Sequence, residues 1–191
     1  MVLASGGIDS SACISYYMDR AYRVEGLFVD YGQAAALNEK RAIGAVGTHY
    51  GIVVRELKLS HCHTWGTGCI PGRNAFLLFT GMMNFEHPSG IIAIGVHAGT
   101  HYWDCSPEFV AVMQTCFDQY TDGRIQIDAP FLHMDKRQIW NYCVGAGVPL
   151  EATYSCEAGT DDPCGQCDSC KDVERLHAQC FDKRLGAKPH D

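Results

Sequence analysis

Short, nearly continuous apolar runs alternate along the chain with longer stretches whose apolar residues recur at helical spacing. Residues 1–4 read as a buried strand running into a glycine turn, Ser5-Gly6-Gly7-Ile8-Asp9-Ser10-Ser11, and residues 12–19 as the helix behind it. Residues 24–29 predict a second strand ending at Asp30-Tyr31-Gly32-Gln33, and residues 34–50 a helix with Leu37, Ile43 and Val46 toward the core. A third strand follows at 52–59, a Gly, His and Cys loop at 61–71, a helix at 73–85, and a fourth strand at 90–96, apolar enough to be buried on both faces. Ser106-Pro107-Glu108 has the order of N-cap, first-turn proline and first-turn acid, so a helix begins there and runs to 120. After a short fifth strand at 125–127, Asp135 and Gln138 have the spacing of a capping box, Met134 and Ile139 that of a hydrophobic staple, and a helix over 136–146 stops at Gly147. A last helix is predicted over 169–181. Strand and helix in this rhythm define an α/β fold, an open, doubly wound, mostly parallel five-stranded sheet with right-handed crossovers.

Composition narrows the class. With 191 residues and 47% hydrophobic content the chain has enough apolar material for a packed core, which excludes disordered and fibrous proteins. Acidic residues outnumber basic ones, 22 to 15, for a net charge of −7, so no duplex nucleic acid partner is expected. Lys171, Arg175, Lys183, Arg184 and Lys188 nevertheless leave room for a local basic patch. No apolar run approaches the roughly 18 to 20 residues of a spanning helix. The N-terminus lacks the basic opening of a secretory signal, so no membrane partner and a cytoplasmic location are expected.

In a reducing compartment the eleven cysteines divide by spacing. Seven are scattered, at Cys13, Cys62, Cys69, Cys105, Cys116, Cys143 and Cys180. Cys156, Cys164, Cys167 and Cys170 instead supply four soft ligands able to converge on one tetrahedral centre. Four thiolates leave no open position, so a zinc ion here is structural. An iron–sulfur cluster is the rival, but the ferredoxin order and its terminal Cys-Pro are absent; colour separates the two.

A glycine turn between a strand and a helix directs backbone N–H groups and the positive helix end at one point, where an anion fits. Ser5 to Ser11 has that form without the lysine of the GxxxxGK[ST] loop or the spacing of GxGxxG. It resembles the pyrophosphatase-type loop of the N-type ATP enzymes, which cleave ATP to AMP and pyrophosphate. An ordinary connector is the alternative on composition alone.

Together with the loop and the four-cysteine knuckle, four further segments stand in the order of one family: Asp30-Tyr31-Gly32-Gln33, Ile70-Pro71-Gly72-Arg73-Asn74, Ala129-Pro130-Phe131 before Asp135-Lys136, and Cys164-Gly165-Gln166-Cys167. The chain resembles the 7-cyano-7-deazaguanine synthase family of the queuosine pathway, as a shortened and divergent member. The resemblance implies an ATP-dependent C–N ligase that adenylates 7-carboxy-7-deazaguanine and lets ammonia form an amide, which a second activation and dehydration turns into the nitrile. It implies that Ser5, Gly6, Gly7, Ser10 and Ser11 grip phosphate, with Asp9 acting through Mg2+. Asp30, Tyr31 and Gln33 would contact ligand, Arg73 and Lys136 would act as cations at helix starts, and Asp104 would stand in the substrate loop. Zn2+ on Cys156, Cys164, Cys167 and Cys170, ATP, and a homodimer belong to the same expectation. Residues 1–150 form the ATP-binding domain, and residues 151–191 a zinc knuckle and C-terminal helix packed on the same domain.

The departures are specific. Ala34-Ala35 stands where the family has Arg-His, and the segment 60–70 is shorter than the family's insert. Thr100-His101-Tyr102-Trp103-Asp104-Cys105-Ser106 is a shortened substrate loop with serine for arginine. A smaller lid fits an acceptor bulkier than ammonia, such as a protein N-terminus. Tyr102 and Trp103 are candidates to stack on the deazapurine, with packing as the alternative. His97 or His101 is a candidate to take the amine's proton, and His61, Cys62, His63 and Cys69 to bind a second metal. Cys105 has no visible base and reads as structural. A tRNA-modifying thiolase and a non-catalytic zinc module are the competing readings.

Overall fold

The computed structural model describes residues 1–60, 65, 68–97 and 99–185, with side chains through residue 178. Five strands, β1 Val2–Leu3, β2 Gly26–Asp30, β3 Val54–Lys58, β4 Gly90–Ile94 and β5 Ile125–Asp128, form one sheet in the order β3-β2-β1-β4-β5. Every pairing is parallel, where the sequence predicted a mostly parallel sheet. Among the described residues six α-helices accompany them: α1 Ile8–Met18, α2 Ala36–Tyr50, α3 Arg73–Met83, α4 Pro107–Thr121, α5 Lys136–Ala146 and α6 Asp168–Leu185.

Side-chain alternation splits the core into two layers. Val2, Ala4, Phe28 and Ala93 pack on one face with Ile14, Ile43, Ile139 and Leu176 from α1, α2, α5 and α6. Leu3, Leu27, Val29, Ile92 and Ile94 pack on the other with Leu78 of α3 and Phe109, Met113 and Phe117 of α4. The sheet is therefore covered on both sides.

Local signals account for most boundaries. Ser106 Oγ accepts from Phe109 N at 3.1 Å, Asp135 and Gln138 close a capping box, and Gly147, at φ 68°, ends α5. Two expectations are corrected. α1 begins at Ile8, so Asp9, Ser10 and Ser11 stand inside its first turns instead of ahead of it. Leu37 is 61% exposed, because Asn38, Ala42, Ile43 and Val46 make up the buried face of α2. No helix among the described residues is long and apolar enough to cross a membrane.

Candidate functional site

The order of strand addition reverses between β1 and β4, with β2 and β3 laid down on one side of β1 and β4 and β5 on the other, and ligands of open α/β sheets bind outside the carboxyl ends of the strands at such a point. The glycine loop follows β1 there. Gly6, at φ 76°, is held beneath α2, and a Cβ on it would stand 2.6 Å from Glu39 O and 2.9 Å from Ile43 N. Gly95, just past β4, lies against the same loop, where a Cβ would meet Ser10 N at 2.8 Å. The loop is thus clamped between α2 and the end of β4. Gly7, the N-cap of α1, has no side chain to cap the helix, unlike Ser106 and Asp135 on α4 and α5. First-turn amides without a helical partner are anion donors. Ser5 Oγ and Ser10 Oγ lie 3.2 Å apart over them, while Ser10 Oγ and Ser11 Oγ both donate to Gly7 O, at 3.1 and 2.9 Å.

An open cavity of about 640 Å³ extends from this loop. Lys136, first residue of α5, points back across it and places Nζ 2.6 Å from Asp9 Oδ2. Asp9 Oδ1 is buried and accepts no hydrogen bond among the described residues. His97 is 7% exposed, with Nε2 3.9 Å from Asp9 Oδ2 and Nδ1 accepting from Gly99 N at 3.1 Å. Burial holds the His97 ring below the usual histidine pKa, against the pull of Asp9 and with the help of Lys136.

The far wall belongs to β2, α2 and α3. Gln33 turns all its polar atoms inward: Nε2 donates to Val29 O at 3.1 Å and to Glu39 Oε2 at 2.8 Å, and Oε1 accepts from Tyr31 N at 2.9 Å. Gln33 therefore braces Glu39, a cavity carboxyl whose pKa burial pushes up against the Gln33 bond and the Arg73 charge. Burial raises the Tyr31 phenol as well, opposed by Arg73. Asp104 reaches Arg73 only through Asn74: Asp104 Oδ2 accepts from Asn74 N at 3.4 Å, Asp104 O accepts from Asn74 Nδ2 at 2.9 Å, and Arg73 Nε donates to Asn74 Oδ1 at 3.4 Å.

The third wall is the knuckle. One sulfur from each of Cys156, Cys164, Cys167 and Cys170 lies within 4.8 Å of the others, and backbone N–H groups of Cys164, Cys167 and Cys170 point at sulfurs within the set. Burial opposes ionisation of Cys156, but N–H donors and the Thr160 hydroxyl bring its thiol down to about 5. Burial and the neighbouring sulfurs push Cys170 up to about 12, as expected when one thiolate forms first and holds protons on its neighbours. These donors fit zinc. The knuckle is tied to the loop by Tyr154 N donating to Gly6 O at 2.9 Å, and to α2 by Asn38 Nδ2 donating to Gly159 O and Thr160 O. Gly159, at φ 72°, is pressed so closely on the backbone of Ala34 that a Cβ would lie 2.1 Å from Ala34 O, which accounts for glycine at 159.

Ser5, Gly7, Asp9, Ser10, Tyr31, Gln33, Arg73 and Lys136 thus line one cavity, as do His97, His101, Tyr102 and Cys105. Four expected residues stand behind it. Gly6 shapes the loop, Ser11 faces Gly7 O, Asp30 pairs with Lys58 at 3.0 Å, and Asp104 anchors α3. Trp103 packs edge-on against Phe109 at 5.3 Å, away from the cavity lining. Cys105 is buried beside Asn74 and its thiol is raised by burial. His61, Cys62 and His63 lie outside the described residues. Sequence reasoning missed Glu39, Gly95, and the cavity-lining Lys171 and Arg175 of α6. Only the late run of basic residues hinted at the last two.

A parallel α/β sheet with an uncapped glycine loop at its switch point, walled by a four-cysteine knuckle, is an open α/β architecture with a ligand-sized cavity at that point. Its relatives make the assignment specific. The profile described as Queuosine biosynthesis protein QueC matches residues 1–70 and 67–181. The chain is 30% identical over 201 residues to the 7-cyano-7-deazaguanine synthase of Synechococcus sp. (strain CC9605), covering 90% of this chain and 88% of that one. Identity is 27% over 220 residues to the synthase of Prochlorococcus marinus (strain MIT 9303), covering 99% and 96%, and 29% over 216 residues to that of a Nitratiruptor species, covering 98% and 95%. The chain belongs to the QueC family.

Proposed function

We propose that this chain is an ATP-dependent C–N ligase that adenylates 7-carboxy-7-deazaguanine, lets ammonia displace AMP to give the amide, and uses a second ATP to activate the amide oxygen, which leaves with AMP as the nitrile of 7-cyano-7-deazaguanine forms. The observation that carries the reading is that one cavity holds the uncapped loop, the Lys136–Asp9 pair and, on the opposite wall, Arg73. Gly7 and the first-turn amides of α1, with the Ser5 and Ser10 hydroxyls, grip the phosphates. Lys136 neutralises charge on the departing pyrophosphate, and Arg73 holds the substrate carboxylate for attack at the α-phosphorus. The buried, unpartnered Asp9 Oδ1 fits Mg2+. That ion would neutralise phosphate charge. Zn2+ on the four cysteines braces the third wall, and reduced thiols fit a cytoplasmic setting.

A second acceptor reading rests on the cavity rim, where His101 and Tyr102 are exposed. An amine borne on a partner's N-terminus reaches an open rim as ammonia does. Product mass spectrometry with ATP, 7-carboxy-7-deazaguanine and either ammonium or candidate proteins decides. AMP formation dependent on the acid, with free amide or nitrile, supports the main reading. A mass increase on a protein supports the second, and AMP formation indifferent to the acid refutes both.

A further inference from the structure

His97 is the one buried imidazole at the phosphate end among the described residues, and its tautomer follows from its surroundings. The Gly99 N–H is a fixed donor aimed at Nδ1 at 3.1 Å, so Nδ1 must be unprotonated, and the neutral ring carries its proton on Nε2. A Cβ on Gly99 would stand 2.9 Å from that Nδ1, so a larger residue at 99 would push the ring from this position. Nε2 looks into the cavity toward Asp9, whose Oδ2 at 3.9 Å is too far to accept and is already taken by Lys136. His97 is more than nine-tenths buried, lines the cavity beside Asp9, and no hydrogen bond uses its Nε2 among the described residues, while Asp9 Oδ1 is buried without a partner there.

We propose that His97 is a substrate-binding residue whose neutral Nε2–H donates to a phosphoryl oxygen of bound ATP. The proposal rests on the reading that ATP occupies this cavity. It replaces the expected role of His97 as a proton acceptor: Nε2 already holds a proton, and Nδ1 is occupied by Gly99. A neutral donor satisfies a phosphate oxygen without adding a second cation beside Lys136.

The test uses the zinc-loaded full chain, Mg2+ and α,β-methylene-ATP, with nitrogen-15 NMR of the histidines and calorimetry. The expected spectrum assigns the Nε2–H tautomer to His97, with that resonance moving on titration. His97→Ala is expected to weaken binding roughly ten- to hundredfold, the size of a lost hydrogen bond to a charged group, and His97→Gln, which keeps a donor near the Nε2 position, by about threefold at most. An Nδ1–H tautomer, or an Nε2–H signal indifferent to an analogue that the parent binds, overturns the proposal and leaves the ATP reading standing. Failure of the parent to bind the analogue overturns both.

Discussion

Lys136 Nζ and Asp9 Oδ2 meet at 2.6 Å across 127 residues of sequence, joining the first turn of α5 to the first turn of α1 over the cavity. Both side chains are mostly buried, at 26% and 18% exposure, so each depends on the other for solvation. Asp9→Asn keeps shape and a hydrogen-bonding side chain while removing the charge. It is expected to cut acid-dependent AMP formation at least a hundredfold with little change in unfolding midpoint. Lys136→Ala leaves the Asp9 carboxylate unpaired and is expected to cost about 1–3 kcal/mol of stability as well as turnover. Asp9→Asn with parental AMP formation would remove Asp9 from the reaction.

Gly6 and Gly7 separate folding from binding. Gly6 combines φ 76° with a Cβ position 2.6 Å from Glu39 O, so Gly6→Ala forces α2 off the loop and is expected to cost at least about 2 kcal/mol in urea unfolding. Gly7 has ordinary extended backbone, and its Cβ would meet nothing nearer than Ser5 Oγ at 3.4 Å. Gly7→Ala is expected to fold within about 0.5 kcal/mol of the parent and to lose most affinity for pyrophosphate, because the methyl lies where an anion would touch backbone. Equal phosphate affinity in parent and Gly7→Ala would refute this use of the loop.

These two glycines also mark how far the sequence could be read. The Gly-Gly turn, the capping box at Asp135 and the N-cap at Ser106 are local signals, legible because each is set by a few neighbouring residues. Leu37 was misplaced because apolar spacing does not say which face of α2 the sheet and knuckle will cover. Nothing in the sequence marks Glu39 as a cavity residue; the bond from Gln33, six residues away, holds it there. Gly95 and Gly159 owe their necessity to distant backbone, Ser10 N in one case and Ala34 O in the other. The clustering of Cys156, Cys164, Cys167 and Cys170 was legible from spacing. That their knuckle forms a wall of the cavity beside the glycine loop was not, since only the folded chain brings Ser169, Lys171 and Arg175 to its lining.

That wall predicts a coupling between metal and nucleotide. Tyr154 N donates to Gly6 O, and Glu157 Oε1 accepts from Ser169 N and Oγ, so the phosphate loop, the knuckle and the start of α6 form one connected unit. Metal analysis is expected to find one zinc per colourless chain. Removing it with a chelator, or substituting Cys167→Ser, is expected to open residues 153–170 to limited proteolysis and weaken binding of α,β-methylene-ATP at least tenfold. A zinc-free chain that binds the analogue with parental affinity would reduce the knuckle to a remote brace.

His97 gives the stability of the chain a predictable dependence on acid. Asp9, Lys136, Asp135 and Asp172 all act on the ring, but burial dominates and lowers its pKa below the ordinary value of about 6.5. As pH falls through that ordinary value the unfolded chain takes up the proton first, so unfolding becomes easier. The contribution of the neutral ring is complete above about pH 6.5 and is lost as pH drops through the lower folded value. Glu39 has the opposite sign, because burial raises its pKa: its contribution is present below the ordinary carboxyl range and is lost as pH rises through its folded value. The two residues are separable with urea midpoints between pH 7 and 5. His97→Gln is expected to flatten the acid-side decline of the parent, and Glu39→Gln to leave that decline in place while removing the loss on the rising limb. A His97→Gln chain with the full parental decline would assign the acid sensitivity to other groups.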